Sequence, residues 1–159
     1  MGKQPLVVLT GPTAVGKTKA SIGLAHAIGG EIISADSMQV YRGMDIGTAK
    51  ITAQEMEGIP HHGIDLLEPQ ERYSAFYFQD YARRSIREVA ERGKVPILCG
   101  GTGLFVHSVL FPMAFTPAGE DKALRADLAR EAQERGPESL HQRLQAVDPV
   151  SAARIHPHN

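Results

Sequence analysis

The motif GPTAVGKT at residues 11–18 sits directly behind the apolar run PLVVLT at residues 5–10. It fits the pattern G-x-x-x-x-G-K-[ST], in which a strand ends in a glycine-rich turn and a helix starts on its far side. No other feature of the chain constrains the fold as much. The backbone N–H groups of such a loop and the helix N-terminus supply fixed partial positive charge. Lys17 adds a full charge, and the Thr18 hydroxyl can ligate Mg²⁺. Gly11, Pro12, Thr13, Ala14, Val15, Gly16, Lys17 and Thr18 are therefore read as a diphosphate cradle. The pattern specifies a diphosphate and leaves open whether a nucleotide carries it.

The rest of the chain supplies the sheet that such a loop requires. Short β-branched runs alternate with helical patterns: LVVLT at 6–10, a helix over 17–28, EIIS at 31–34, HGIDLL at 62–67, a helix over 74–92 and KVPILC at 94–99. This alternation predicts an α/β fold, a P-loop NTPase-like parallel sheet with flanking helices. Within 74–92, Phe78, Ala82, Ile86, Val89 and Ala90 recur at helical spacing, with Ser74 as N-cap and Gly93 as the stop. After Pro112 the character changes, and 120–147 is charged, alanine-rich and helical without strands. We divide the chain into a P-loop α/β core at 1–111, the start of a helical insertion domain at 112–155 and a return to the core at 156–159. A length of 159 residues with 42% hydrophobic content suits one sizeable core with an appendage.

Cys99 is the single cysteine, which excludes an intramolecular disulfide and points to a reducing, cytosolic compartment. No Cys/His spacing suggests zinc. The apolar run near the start is too short for a membrane span or signal-peptide core, so a soluble protein is expected. A formal net charge of −1 gives no overall electrostatic case for nucleic acid. Arg83, Arg84, Arg87, Arg92 and Lys94 cluster locally, and interleaved Glu88 and Glu91 mark them as a solvated helix face.

Asp36 follows the EIIS run directly, at a strand end where open α/β sheets bind ligands. Its possible roles are general base, acceptor for a substrate amine or hydroxyl, indirect Mg²⁺ ligand, or simply a helix N-cap or Asx-turn. Ser37, Gln39 and Tyr41 follow, and the Gln39 amide is suited to reading a base edge. Thr102, in ILCGGTGLF, occupies the same kind of place after another strand, either offering a hydroxyl or capping the next helix. Asp65 is a weak match to a Walker B-type acid. His61 and His62 are expected to satisfy loop backbone and not to bind metal.

Three segments together, LTGPTAVGKT, EIISADSMQVYRGMDIGTAKIT and KVPILCGGTGLF, closely resemble the bacterial tRNA dimethylallyltransferases, and VDPVSAARIHPHN looks like a fourth family segment. The resemblance implies transfer of a dimethylallyl group from dimethylallyl diphosphate to the exocyclic N6 amine of the adenosine 3′ of the anticodon, in tRNAs that read codons beginning with uridine. The cradle then holds an allylic diphosphate, with Mg²⁺ on Thr18 as cofactor. Lys17 and Thr18 serve the leaving group, and Asp36 corresponds to the general base. By the same resemblance Asp36, Ser37, Met38 and Gln39 contact tRNA, as do Thr102 and Arg125. The protein is expected to be cytoplasmic, without a membrane partner, and a monomer when complete. Phe105 stands where the family usually has Tyr. Family members continue well beyond IHPHN, so the chain is expected to be an N-terminal fragment that fails to modify tRNA by itself. The rival reading is a P-loop small-molecule or nucleoside kinase, although no arginine-rich lid segment is present. A non-catalytic nucleotide switch or tRNA-binding module is a third.

Overall fold

The structure is a computed structural model that describes residues 5–12, 14–113 and 121–158. The chain forms two compact units, Met1–Phe115 and Thr116–Asn159. In the first, β1 (Val7–Thr10), α1 (Lys17–Ile28), β2 (Gly30–Ser34), β3 (His61–His62), α2 (Ala75–Glu91), β4 (Val95–Gly100) and α3 (Gly103–Leu110) follow in order. Every strand pairing is parallel and the spatial order is β1-β4-β2-β3, so the expected parallel α/β sheet forms.

Register explains why the strands read as near-continuous apolar runs. Val8, Leu98 and Ile33 lie level on neighbouring strands, as do Val7, Ile97 and Ile32 one residue earlier. Side chains alternate between faces along a strand. The first row packs with Phe78, Ala82 and Ile86 of α2 and Phe105 and Val106 of α3. The second packs with Ile22 and Ala25 of α1 and with Ile51. Both sheet faces are thus covered, as parallel sheets require. Phe78 is 1% exposed and stacks on Phe105 at a 4.3 Å centroid distance. Complete burial of such a ring stabilises by about 1.5–3 kcal/mol.

Pro96 lies inside the central strand, a position that normally excludes proline. The Val95 N–H donates to the Gly29 carbonyl on the β2 side, so the donor missing at Pro96 belongs to the β1 side. There the ladder begins only at Ile97, opposite Val7. No ladder bond is therefore lost.

One local expectation needs correction. The HGIDLL run forms only the end of β3, because the chain turns at Gly63 (φ 86°) and Asp65 (φ 53°), and Leu67 then meets Tyr41 in an isolated bridge outside the sheet. A side chain at Gly63 would press on the Ser34 carbonyl at 3.0 Å. Ser74 stands at the N-cap of α2 as expected, in extended conformation, although its side chain makes no capping bond. Arg92 is exposed as expected and in addition donates from its guanidinium to the Glu31 carboxylate at 2.6 Å, where His62 Nε2 also donates at 2.7 Å. Arg83, Arg84 and Arg87 remain exposed as expected.

Burial works against the charge of Glu31, yet the bonds from Arg92 and His62 hold its carboxyl below the ordinary value of 4.5. A carboxyl whose folded pKa is depressed contributes stability above its unfolded value and loses that contribution as pH falls below it. Glu31→Gln is therefore expected to lower the unfolding free energy at neutral pH, with the gap to wild type closing as the pH drops through and below 4.5. Denaturant unfolding at a series of pH values measures this. A gap independent of pH would mean that the Glu31 charge contributes nothing.

The second unit holds α4 (Lys122–Arg135), α5 (Pro137–Val147) and α6 (Pro149–Ala152). The 120–147 stretch is helical as expected and is divided at Gly136, whose φ of 82° ends α4, and Pro137 then starts α5 at a position where its missing N–H costs nothing. An Arg143–Glu131 ion pair at 3.0 Å joins α5 to α4. His141 Nε2 donates to the Ala152 and Ile155 carbonyls and ties α5 to the stretch that follows. Among the described residues no helix is long and apolar enough to cross a membrane.

Candidate active site

A cleft of about 370 Å³ opens at the carboxyl ends of β1, β4 and β2 and is lined by Ala14, Gly16, Lys17, Thr18, Asp36 and Gln39, among others. Each strand contributes the residues that follow it. After β1 the chain turns through the phosphate loop, and Gly16 (φ 84°) precedes the first turn of α1. Lys17 Nζ donates to the Pro12 carbonyl, so the ammonium folds back over its own loop. Thr18 follows it on α1, and its carbonyl accepts from the buried Ser21 hydroxyl. Thr13 lies outside the described residues, and Val15 is 60% exposed.

After β2, Asp36 performs a local task with one oxygen only. Its Oδ1 accepts the N–H groups of Met38 at 2.8 Å and Gln39 at 3.3 Å, which is the Asx-turn arrangement. Oδ2 has no partner among the described residues. The turn role and an acceptor role are therefore compatible in one side chain.

After β4, Gly100 lets two backbones meet: a Cβ there would collide with the Ala35 main chain. The contact lets the Thr102 N–H donate to the Ala35 carbonyl at 3.2 Å. Thr102 stands at the N-cap of α3 but its side chain makes no capping bond. Its hydroxyl accepts from the Ser37 N–H at 3.1 Å, tying the segment after β4 to the segment after β2.

Gln39 departs from the role suggested by its amide. Oε1 accepts from Ser34 Oγ at 3.3 Å, and Nε2 donates to the Thr48 and Ala49 carbonyls at 3.3 and 3.4 Å. The amide is engaged by the chain itself and pins the 44–49 loop beside the cleft. Met38 faces a second cleft of about 520 Å³, which it shares with Asp36, Met44, Asp45, Ile46 and Thr48. Arg125 is exposed on α4, in the second unit. Asp65 does not line the main cleft and is ion-paired to Lys50 at 2.6 Å. His61 Nδ1 donates to the Ile59 carbonyl, as expected of a loop-satisfying ring, whereas His62 serves Glu31.

Sequence reasoning missed Ser34, Thr48, Ala49 and Cys99 as lining residues. Cys99 ends the apolar run of β4, and its place beside the phosphate loop follows only from the strand order. Burial pushes its thiol up, and the Ser21 hydroxyl and the Lys17 charge offset this only in part.

The lining groups fit Mg²⁺ held on a bound diphosphate. Thr18 and Asp36 offer hard oxygen donors, and no group of three His, Cys, Asp or Glu side chains forms a dedicated cage among the described residues. Mg²⁺ is usually bound by one or two protein oxygens together with water and substrate phosphates.

A family model described as IPP transferase matches residues 39–159. The tRNA dimethylallyltransferase of Bacillus pumilus is 57% identical over 157 residues, which make up 99% of this chain and 49% of that protein. That of Bacillus subtilis is 54% identical over 157 residues, with 99% and 50% covered. Among solved structures, the full-length tRNA isopentenylpyrophosphate transferase from Bacillus halodurans matches with a TM-score of 0.71 at 52% identity, covering 99% of this chain and 52% of that one. A eukaryotic dimethylallyltransferase acting on tRNA matches with a TM-score of 0.82 at 35% identity, covering 98% and 38%. The chain spans about half the length of the curated relatives it matches. With about three quarters of its residues inside the family model and relatives more than 50% identical along 99% of its length, the chain belongs to the IPP transferase family.

Proposed function

We propose that this chain supplies the catalytic core of an enzyme that moves a dimethylallyl group from dimethylallyl diphosphate to the exocyclic N6 amine of the adenosine 3′ of the anticodon, in tRNAs reading U-starting codons. The observation that carries this reading is one cleft lined by the phosphate loop on one side and by Asp36 on the other. Relatives named tRNA dimethylallyltransferase match along nearly the whole chain and support the choice of substrates.

The chemistry follows from the groups present. The bond from the allylic carbon to the diphosphate oxygen breaks, and negative charge grows on the leaving diphosphate. Phosphate-loop N–H groups and Lys17, which line the cleft, would stabilise that charge. Bound to the diphosphate beside Thr18, Mg²⁺ would neutralise more of it. The adenine amine is a poor nucleophile because its lone pair is delocalised into the ring. As N6 bonds to the allylic carbon, its proton passes to Oδ2 of Asp36, the oxygen left over from the Asx-turn. The adenosine has to leave its stack to reach the cleft, at a cost of about a few kcal/mol that is lowest in a single-stranded loop. We place the protein in the cytosol, acting as a monomer.

The test uses this sequence joined to the C-terminal half of a full-length relative. It is incubated with an unmodified anticodon stem-loop, Mg²⁺ and labelled dimethylallyl diphosphate, and ATP affinity is measured alongside. Label should appear on the RNA with one diphosphate released per transfer. Strong preference for ATP, with phosphate transfer and no label on RNA, would establish the kinase reading instead.

A further inference from the structure

Lys50 closes the GTAK end of the segment that carries Asp36 and Gln39, and although it does not line the cleft itself its side chain is only 4% exposed. An ammonium has three N–H donors. Here they meet three acceptors: the Tyr41 carbonyl at 2.6 Å, Asp65 Oδ1 at 2.6 Å and Asp45 Oδ1 at 2.8 Å. Burial works against its charge, but Asp45 and Asp65 overcome this and raise its pKa. The Lys50 N–H also donates to the Asp45 carbonyl at 3.1 Å, so the 45–50 loop is closed at both main chain and side chain.

The acceptors join two stretches of chain that flank Gln39. Asp65 donates its own N–H to the Gln39 carbonyl at 3.2 Å, and the Gln39 amide holds the Thr48 and Ala49 carbonyls. Ala49 and Asp65 both adopt left-handed backbone, with φ of 49° and 53°. Such conformations in residues with a Cβ persist only where surrounding contacts over-determine them. At Asp65 the contact comes from the Lys50 ammonium, and at Ala49 from the Gln39 amide and the Ile46 carbonyl, with Lys50 anchoring the very next position. Thr48 and Ala49 line the diphosphate cleft, while Asp45 and Thr48 line the second cleft beside Asp36.

We propose that Lys50 is a positioning residue for the transfer reaction: shared between the Tyr41 carbonyl, Asp45 and Asp65, it fixes the 44–49 loop against Gln39 and thereby shapes the side of the cleft where the nucleophile meets Asp36. The kinetic consequence rests on the transferase reading above. Lys50 touches no substrate. It acts by keeping the loop in one arrangement, and misplacement of a reacting group by even an ångström costs about 10²-fold in rate.

The decisive variant is Lys50→Met, which keeps the length of the side chain and removes its donors, in the sequence joined to a relative's C-terminal half. Diphosphate affinity should stay within about threefold, because the phosphate loop is built separately, while kcat per diphosphate-binding molecule falls by about tenfold or more. Backbone amides of residues 44–49 should exchange with solvent faster, and those of α1 should not. A purely structural role would lower the melting temperature and leave the turnover of folded molecules alone. The proposal is therefore overturned if kcat per binding site is unchanged, or if kcat and diphosphate affinity fall by the same factor. Should Lys50→Met not fold, Asp65→Asn, which keeps shape and removes one of the paired charges, is measured for the same split. Exchange needs no turnover: a wild-type protein that transfers nothing would sink the transferase reading, while unchanged protection of 44–49 in the variant would sink the role of Lys50.

Discussion

Asp36→Asn is expected to cut kcat for transfer by about 10²–10⁴-fold while leaving the affinity for diphosphate close to that of wild type. The two carboxylate oxygens have separate tasks, which makes the substitution informative. Oδ1 accepts the Met38 and Gln39 N–H groups, and an asparagine carbonyl can accept both in its place. The turn that shapes the segment after β2 then survives. What disappears is the second oxygen's ability to take a proton. Asp36→Ala removes both tasks and should lose stability as well as rate, so the pair of variants separates chemistry from architecture. The measurement is single-turnover transfer from labelled dimethylallyl diphosphate, with diphosphate affinity by calorimetry. An asparagine variant with a rate within about threefold of wild type would remove Asp36 from the proton-transfer role.

Lys17→Ala should lower the affinities for dimethylallyl diphosphate and inorganic diphosphate in parallel and reduce kcat by about 10²–10³-fold, the usual cost of losing one group aimed at developing charge. Among the described residues its ammonium donates only to the Pro12 carbonyl of its own loop. Removing it strands no partner in the interior, so folding stability should change by no more than about 0.5 kcal/mol. Thr18→Ala should share the loss of affinity and in addition flatten the dependence on Mg²⁺. Titrating diphosphate into each variant over a range of Mg²⁺ concentrations measures both effects. Unchanged diphosphate affinity in the two variants would place the ligand elsewhere.

The phosphate loop, the helices at 17–28 and 74–92 and the strands on either side of them were legible because each depends on local chemistry: a glycine turn, a 3.6-residue apolar period, a β-branched run. Asp36 and Thr102 were legible as strand-end residues for the same reason. Tertiary partners decided the rest. The apolar look of HGIDLL suggests a strand, but the chain turns away after His62 at Gly63, where any side chain would press on the Ser34 carbonyl. Nothing near Arg92 in sequence announces Glu31, which lies 61 residues earlier and is brought to it by the pairing of β2 with β4. Gln39 has the chemistry of a base reader, and only the fold of the 44–49 loop shows its amide to be occupied. The ion-pair hub of Lys50 likewise draws on Asp65, fifteen residues away across a turn that no local pattern reveals.

Because β4 is threaded between β1 and β2, the phosphate loop and Asp36 never stand on adjacent strands. Neighbouring strands run about 4.8 Å apart, so two such gaps set the strand ends from which the two segments leave the sheet roughly 9–10 Å from each other. The sheet works as a ruler. In the proposed reaction an in-line displacement would span a similar length: a hydrogen bond of roughly 2.8 Å at either end, with leaving oxygen, carbon and entering nitrogen strung between. A water molecule attacking the same carbon is small enough to react but is not held in place by stacking or by a second anchor. On the proposed reading, such a spacing would favour a large, tethered nucleophile over solvent, and a reactive diphosphate would wait in the cleft without being lost to hydrolysis.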